Sequence, residues 1–314
     1  VKPAILPSDP EVRATGYGGT DVARILGLSR FGGGMDVYLE KRRLTAPLIE
    51  TEPMRWGKIL EEPIAREYAE KTGRKVRRAA SFLRHPDHFK FYANIDRWSL
   101  QGGTPKRVLE VKTTSVFTAD DFGEEHTDQV PGDYLAQCLW YLYVTGAEQA
   151  DLAVLIGGNK HRVYEIPRDE ELIAEMVEAT LAFDADTEQG IPPDVDGSEG
   201  SDAYLKKTYR DKGTERPMDS YLASLATSYQ GLHELIKEHE ADRKTIGNEI
   251  RDLMGDHRWA EGEGVKIVYG ERAGARSVKW DAIAKAQRIP ESVIEEFTEQ
   301  AEPTRALTVT IRPA

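Results

Sequence analysis

Five residues, Val108-Leu109-Glu110-Val111-Lys112, restrict the folding of this chain more than any other stretch. Apolar Leu109 and Val111 alternate with charged Glu110 and Lys112, and a period of two is the pattern of a β-strand with one face in a core. Glu110 and Lys112 then share the opposite face. Upstream lies Asn94-Ile95-Asp96-Arg97-Trp98, separated from the first run by Gly102-Gly103, a pair suited to a tight turn. If Asp96 lies opposite, two carboxylates and an ammonium converge on one spot. Adjacent carboxylates repel and gain stability from a divalent cation, and hard oxygen donors suit Mg²⁺ or Mn²⁺. A lysine beside a metal-bound water can orient it or stabilise developing charge. The same residues also read as ordinary solvated charges on a two-stranded edge, so the rest of the chain decides between a site and a surface.

With 314 residues, 39% hydrophobic and 31% charged, the chain can build one large core, alone or with a sizeable appendage. No apolar run approaches the ~18 residues of a membrane-crossing helix, and the amino terminus lacks a signal-peptide pattern. Cys138 is the single cysteine, which excludes an intramolecular disulfide or a cysteine zinc site and fits a reducing cytoplasm. The net charge of −12 argues against a general nucleic-acid coat protein but leaves room for a DNA enzyme with a local basic groove. Lys41-Arg42-Arg43 and Arg74-Lys75-Val76-Arg77-Arg78 are either such patches or solvated surface.

Along the chain, residues 1–16 read as irregular. Gly18-Gly19-Thr20-Asp21 leads into a short helix ending at Gly27, with Thr20 or Asp21 as its cap. Its glycine pair would let backbone N–H groups approach an anion, which Arg13 could also reach. A second short helix covers 36–41. Trp56, Leu60, Ile64 and Tyr68 recur at helical spacing over 54–72, with Pro63 requiring a start near Leu60 or a kink. Glu61 and Glu62 stand at the edge of that stripe. Strands follow at 75–83, 89–95 and 108–112, then a loop or lid at 113–125. A helix at 131–144 places Gln137 and Tyr141 on one face. A buried strand at 150–156, its hairpin mate at 162–166 and a helix at 169–188 complete a first domain, 1–190. Residues 191–202 read as a linker by their Gly, Pro, Asp and Ser content. In 203–314, apolar residues from Leu222 to Leu253 step by three and four in a heptad seam, which predicts a long helix in an antiparallel pair or coiled coil. Strands at 265–269 and 307–311 and helices at 281–287 and 291–299 complete this accessory region.

Taken in order, Gly18-Gly19-Thr20-Asp21-Val22-Ala23, Asp36-Val37-Tyr38-Leu39-Glu40-Lys41, Arg55-Trp56-Gly57-Lys58-Ile59-Leu60-Glu61, Asp96, Leu109-Glu110-Val111-Lys112-Thr113 and Tyr134-Leu135-Ala136-Gln137 form a distinctive series. Over roughly residues 13–185 the chain resembles the YqaJ-like viral recombinase family, relatives of phage lambda exonuclease within the PD-(D/E)XK nuclease superfamily. The resemblance implies an α+β nuclease core, a central mixed sheet flanked by helices, with a C-terminal appendage of a long helix and a small sheet. It implies an exonuclease that uses Mg²⁺ or Mn²⁺, as two ions, to digest double-stranded DNA from its ends, 5′→3′, leaving 3′ single strands for an annealing protein. It also implies a ring-shaped homotrimer and a phage or prophage origin, acting in the bacterial cytoplasm. Carried over by position, Asp96, Glu110, the Val111 carbonyl and Glu61 would hold metal. Lys112 would position the attacking water, and Gln137 would stand beside both. Arg13 and Thr20 would take the 5′-phosphate. The sequence departs from the family at Ile95-Asp96-Arg97, where relatives carry Pro-Asp-Gly, so Arg97 is expected to meet DNA. It departs again at Glu62, where relatives usually carry proline. The other readings are a DNA-end- or partner-binding module on the same fold without activity, and a structure-specific endonuclease.

Overall fold

The 108–112 alternation lies within a longer strand at the centre of a five-stranded sheet. The computed structural model describes residues 3–6, 10–45, 49–79, 82–271, 274, 277–299 and 307. The chain divides into two units, Val1–Tyr209 and Arg210–Ala314. The first unit runs β1 (Ala4–Leu6), α1 (Pro10–Thr15), α2 (Gly19–Ile25), α3 (Gly34–Lys41), α4 (Glu52–Thr72), β2 (Lys75–Arg78), β3 (Phe82–Arg84), β4 (Tyr92–Ala93), β5 (Arg97–Gln101) and β6 (Thr104–Thr114). A 3₁₀ turn (Val116–Asp121) follows, then α5 (Gly132–Thr145), β7 (Gln149–Ile156), β8 (Lys160–Pro167), α6 (Glu170–Gln189) and α7 (Glu199–Thr208).

The main sheet has the order β2-β5-β6-β7-β8. Gly102 and Gly103, at φ of 58° and 82°, close the β5–β6 hairpin in the left-handed region that glycine adopts without strain. β6 and β7 are parallel, and parallel neighbours need a crossover, which α5 supplies. β7 and β8 are antiparallel, so the sheet is mixed. A second, smaller sheet has the order β1-β3-β4.

The alternation in β6 sorts its residues between two apolar layers. Leu109 and Val111 pack with Ile64, Ala65 and Tyr68 of α4. Val108 packs in the layer that holds Leu139 and Leu142 of α5 and Val22 of α2. The expected α+β architecture, a mixed sheet flanked by helices, is therefore present. On the α4 side, buried Asp151 is satisfied on both oxygens. Oδ2 accepts from the Tyr68 hydroxyl at 2.5 Å and from Arg74 Nη1 at 2.9 Å, and Oδ1 accepts from Arg107 Nη1 at 2.9 Å. This cluster is structural: every charge has its partner.

Several elements differ from the sequence reading. Residues 1–16 include a short strand and α1. The cap of α2 is Gly18, and Asp21 sits three residues into the turn, where its carboxylate accepts from the Gly18 N–H at 3.0 Å. α4 runs unbroken through Pro63 from Glu52 and leaves Trp56 half-exposed, because the sheet contacts only its later turns. The strand expected at 75–83 is two strands in different sheets. The one expected at 89–95 is the two-residue β4, so Asp96 stands in the bend between β4 and β5. The linker expected at 191–202 runs into α7, whose helical residues begin at Glu199. Ser198 caps α7 through the Ser201 N–H at 3.2 Å. Buried Gly200 lies against α3 so closely that a Cβ there would meet Asp36 Oδ1 at 2.4 Å.

The second unit contains α8 (Ser220–Met254), the antiparallel hairpin β9 (Trp259–Gly262) and β10 (Val265–Val268), α9 (Trp280–Ala286) and α10 (Glu291–Glu296). The 35-residue α8 is the long helix expected, capped by the Asp219 carboxylate on the Leu222 N–H at 2.8 Å. Its seam residues Leu225, Tyr229, Leu232, Ile236, Ile246 and Leu253 are exposed, so the expected pairing of this helix is not made among the described residues. β9 went unread in the sequence because Trp-Ala-Glu-Gly does not alternate. Of the strand expected at 307–311, all but Leu307 lies outside the described residues. No helix among the described residues is long and apolar enough to cross a membrane.

Candidate active site

The register that sends Leu109 and Val111 towards α4 turns Glu110 and Lys112 to the α5 side. There Glu110 is 3% exposed. Its Oε1 accepts from Gln137 Nε2 at 2.8 Å and pairs with Lys112 Nζ at 2.7 Å. Among the described residues its Oε2 is buried without a hydrogen-bond partner. Unlike Asp151, Glu110 thus leaves half its carboxylate unsatisfied, a costly state in a protein interior. Asp96 comes from the β4–β5 bend, and its Oδ2 accepts from the Val111 N–H at 2.8 Å, across the end of the hairpin. The expected convergence of Asp96, Glu110 and Lys112 is present, and Gln137 joins it from α5.

Electrostatics record the crowding. Burial first, and the Glu110 charge second, push the Asp96 carboxyl up to about 8, although Lys112 and the Val111 N–H pull the other way. Burial pulls the Lys112 ammonium down, but Glu110 and Asp96 outweigh it and hold it above the ordinary lysine value. Two tyrosines of α5 complete the surroundings. The Tyr141 hydroxyl accepts from Gln137 Nε2 at 2.7 Å, and the Tyr134 ring lies 5.5 Å from Lys112 Nζ, a cation–π distance. Tyr134 and Tyr141 were not singled out as site residues from the sequence. The signal was there in their spacing of three and four residues from Gln137, which places all three on one helix face.

Asp96 and Glu110 fit a hard divalent cation: one oxygen of Glu110 lacks a partner among the described residues, and burial and the Glu110 charge both raise the neighbouring Asp96 carboxyl, a charge repulsion that a cation would offset. Among the described residues no group of three Asp, Glu, His or Cys side chains is placed to hold a metal ion. Glu61, the third acid expected there, is engaged elsewhere. Arg97 pairs in register with Leu109, so it shares the α4 side of the sheet, and it is 4% exposed. Its Nη1 donates to Glu61 Oε1 and, at 2.8 Å, to the Asp96 carbonyl; its Nη2 donates to Glu62 Oε2 at 2.8 Å. Arg97, expected to meet DNA, is instead buried beneath α4 between two carboxylates. Both β5 register and the charge of α4 hold it there.

The expected end-binding residues lie on α1 and α2. Thr20 is exposed in the first turn of α2. Its neighbour Gly19 abuts α5 at the site itself: a Cβ on Gly19 would meet Gln137 Cγ at 2.8 Å. Arg13 is exposed on α1, with its guanidinium 5.6 Å from the Phe82 ring centroid. The basic runs are largely spent on the protein itself. Lys41 bonds Asp21 at 2.9 Å, Arg43 pairs with Glu11, Arg74 with Asp151 and Arg78 with Glu62.

The YqaJ-like viral recombinase domain family matches residues 10–148. The uncharacterized protein YqaJ of Bacillus subtilis (strain 168) is 35% identical over 250 residues, 78% of this chain and 76% of that protein. The chain is similar to the solved alkaline exonuclease LHK-Exo from Laribacter hongkongensis, at 18% identity and a TM-score of 0.46 over 58% of this chain and 92% of that one. It is also similar to the phage-related exonuclease from Haemophilus somnus 129PT, at 13% identity and a TM-score of 0.45 over 56% and 95%. A match to the family over the segment that contributes Asp96, Glu110, Lys112 and Gln137, and a relative more than one-third identical across three quarters of its own length, lead to one assignment: the chain belongs to the YqaJ-like viral recombinase family.

Proposed function

We propose that this protein is a metal-dependent exonuclease that degrades double-stranded DNA from its ends in the 5′→3′ direction. The reading rests above all on Glu110, a buried carboxylate tied on one oxygen by Gln137 and Lys112 and unpartnered on the other, beside a second acid, Asp96. Asp96, Glu110 and the Val111 carbonyl would hold Mg²⁺ or Mn²⁺. A cation bound there would supply charge neutralisation at phosphorus and acidify a coordinated water. Lys112, held by Glu110 and facing the Tyr134 ring, orients the attacking water and stabilises charge on the phosphoryl oxygens. Gln137 fixes the rotamer of Glu110 and is itself fixed by Tyr141.

Arg13 and Thr20 take the 5′-phosphate, placing the end of the strand beside Gln137. The product is a duplex with a 3′ single strand for a single-strand annealing protein, and a homotrimer around DNA is the processive form. A duplex with 5′-phosphate ends is digested faster than the same duplex with 5′-hydroxyl ends, by roughly 10-fold or more if each charge-assisted contact contributes about 1.5–3 kcal/mol. Initial rates on the two substrates check this. Equal rates would remove the end pocket from the proposal.

A further inference from the structure

Arg97 has no place in the chemistry above, yet it is the most buried cation near it. Three groups hold it: Glu61, Glu62 and the Asp96 carbonyl. The peptide unit that carries the Asp96 carbonyl also joins the two residues, so the guanidinium is anchored to the same bend that positions the candidate metal ligand. Glu61 is close enough to Asp96 for its charge to raise that carboxyl. Glu61 and Glu110 approach Asp96 from opposite faces of the sheet, Glu61 from α4 and Glu110 facing α5. Each has one oxygen tied, Glu110 to Gln137 and Lys112 and Glu61 to Arg97, but among the described residues the three acids are not grouped so as to hold one ion.

Resting on the reading of Asp96 and Glu110 as a cation site, we infer that Arg97 is a built-in substitute for a second metal ion: it holds Glu61 out of the coordination shell, so the chain binds one divalent cation. To join Asp96 and Glu110 on an ion, the Glu61 carboxylate would have to move away from Arg97, and weakening one of the two charge pairs of a cation that is 4% exposed is disfavoured. A second dication would also stand beside a fixed guanidinium, and like charges at such range repel. Arg97 is thus a positioning residue. It acts through Glu61 and supplies as a fixed side chain the positive charge that a second ion would bring.

The test is a count of Mn²⁺ bound to the full chain without DNA, by calorimetry and by the loss of the free-Mn²⁺ paramagnetic signal. The wild-type chain binds one ion, and Glu61→Gln changes neither the count nor the affinity by as much as threefold. Arg97→Ala frees Glu61 and binds two ions, the second lost again in Arg97→Ala with Glu61→Gln. Arg97→Lys, which keeps a cation on Glu61, returns the count to one. Two ions on the wild-type chain, or a tenfold loss of affinity on Glu61→Gln alone, overturns the inference. If Arg97→Ala fails to fold, the Glu61→Gln result still decides, since Glu61 is partly exposed on a helix surface. Asp96→Asn separates the two levels: if it leaves Mn²⁺ binding unchanged, the cation site itself fails, whatever the count.

Discussion

Glu110→Ala and Lys112→Ala each abolish digestion of duplex DNA in Mg²⁺ while binding to DNA ends survives. Lys112 is asked to stabilise charge that exists only in the transition state, and removal of one such donor costs on the order of 10²–10³ in rate. Glu110 is asked to hold the cation, so its loss removes the water activation and the charge neutralisation together. Folding responds too. Glu110→Gln keeps an acceptor for Gln137 but takes the charge partner from Lys112 and leaves a buried amide group unsatisfied, so it melts below the metal-free wild type. Asp151→Asn, which breaks a fully satisfied cluster, also melts lower. Rates, an end-binding titration and thermal melts of the same variants check this set. Full activity in either Glu110→Ala or Lys112→Ala would remove the site assignment.

Cation affinity rises with pH, by about tenfold per unit below pH 8, and levels off above it. Burial and the neighbouring Glu110 push Asp96 up to about 8, so at neutral pH an entering cation must displace the Asp96 proton. Calorimetric titrations of Mn²⁺ at several pH values, in buffers of different ionisation enthalpy, should show close to one proton released at pH 6–7 and none above pH 9. The sign for stability follows from the same shift. A group whose folded value is raised from 3.8 to about 8 contributes stability that is complete below the lower value and lost as pH rises to the upper one. The metal-free chain therefore loses stability between about pH 4 and pH 8. Asp96→Asn, which has no proton to lose, removes that slope and melts above the metal-free wild type at pH 8.

The site was more legible in the sequence than the fold around it, for a physical reason. Strand alternation puts Glu110 and Lys112 on one face whatever the neighbours are, and helical spacing does the same for Gln137 and Tyr141. Local periodicity fixes both. What it does not fix is which face of the sheet a third group approaches. The resemblance implies a metal ligand at Glu61, and the departure at Ile95-Asp96-Arg97 a DNA contact at Arg97, yet β5–β6 register sets Arg97 opposite Leu109, under α4, where Glu61 captures it. Register depends on the hairpin and its irregularity at Ser99 and Leu100, which no short motif announces. Likewise 191–202 has the composition of a linker, but Ser198 caps α7 locally, and Gly200 lets that helix close on α3, a contact with Asp36 that lies more than a hundred and fifty positions away. The α8 seam was legible as a pattern because heptads are local. Its partner was not, because pairing is not.

The most direct measurement of the central claim uses linear duplex DNA labelled at either the 5′ or the 3′ end, incubated with the full chain and Mg²⁺, with a covalently closed circle alongside. The account predicts early release of 5′ label as mononucleotide, retention of 3′ label in long single strands, an intact circle, and no release with EDTA. Cutting of the closed circle, early release of the 3′ label, or digestion in EDTA would contradict it.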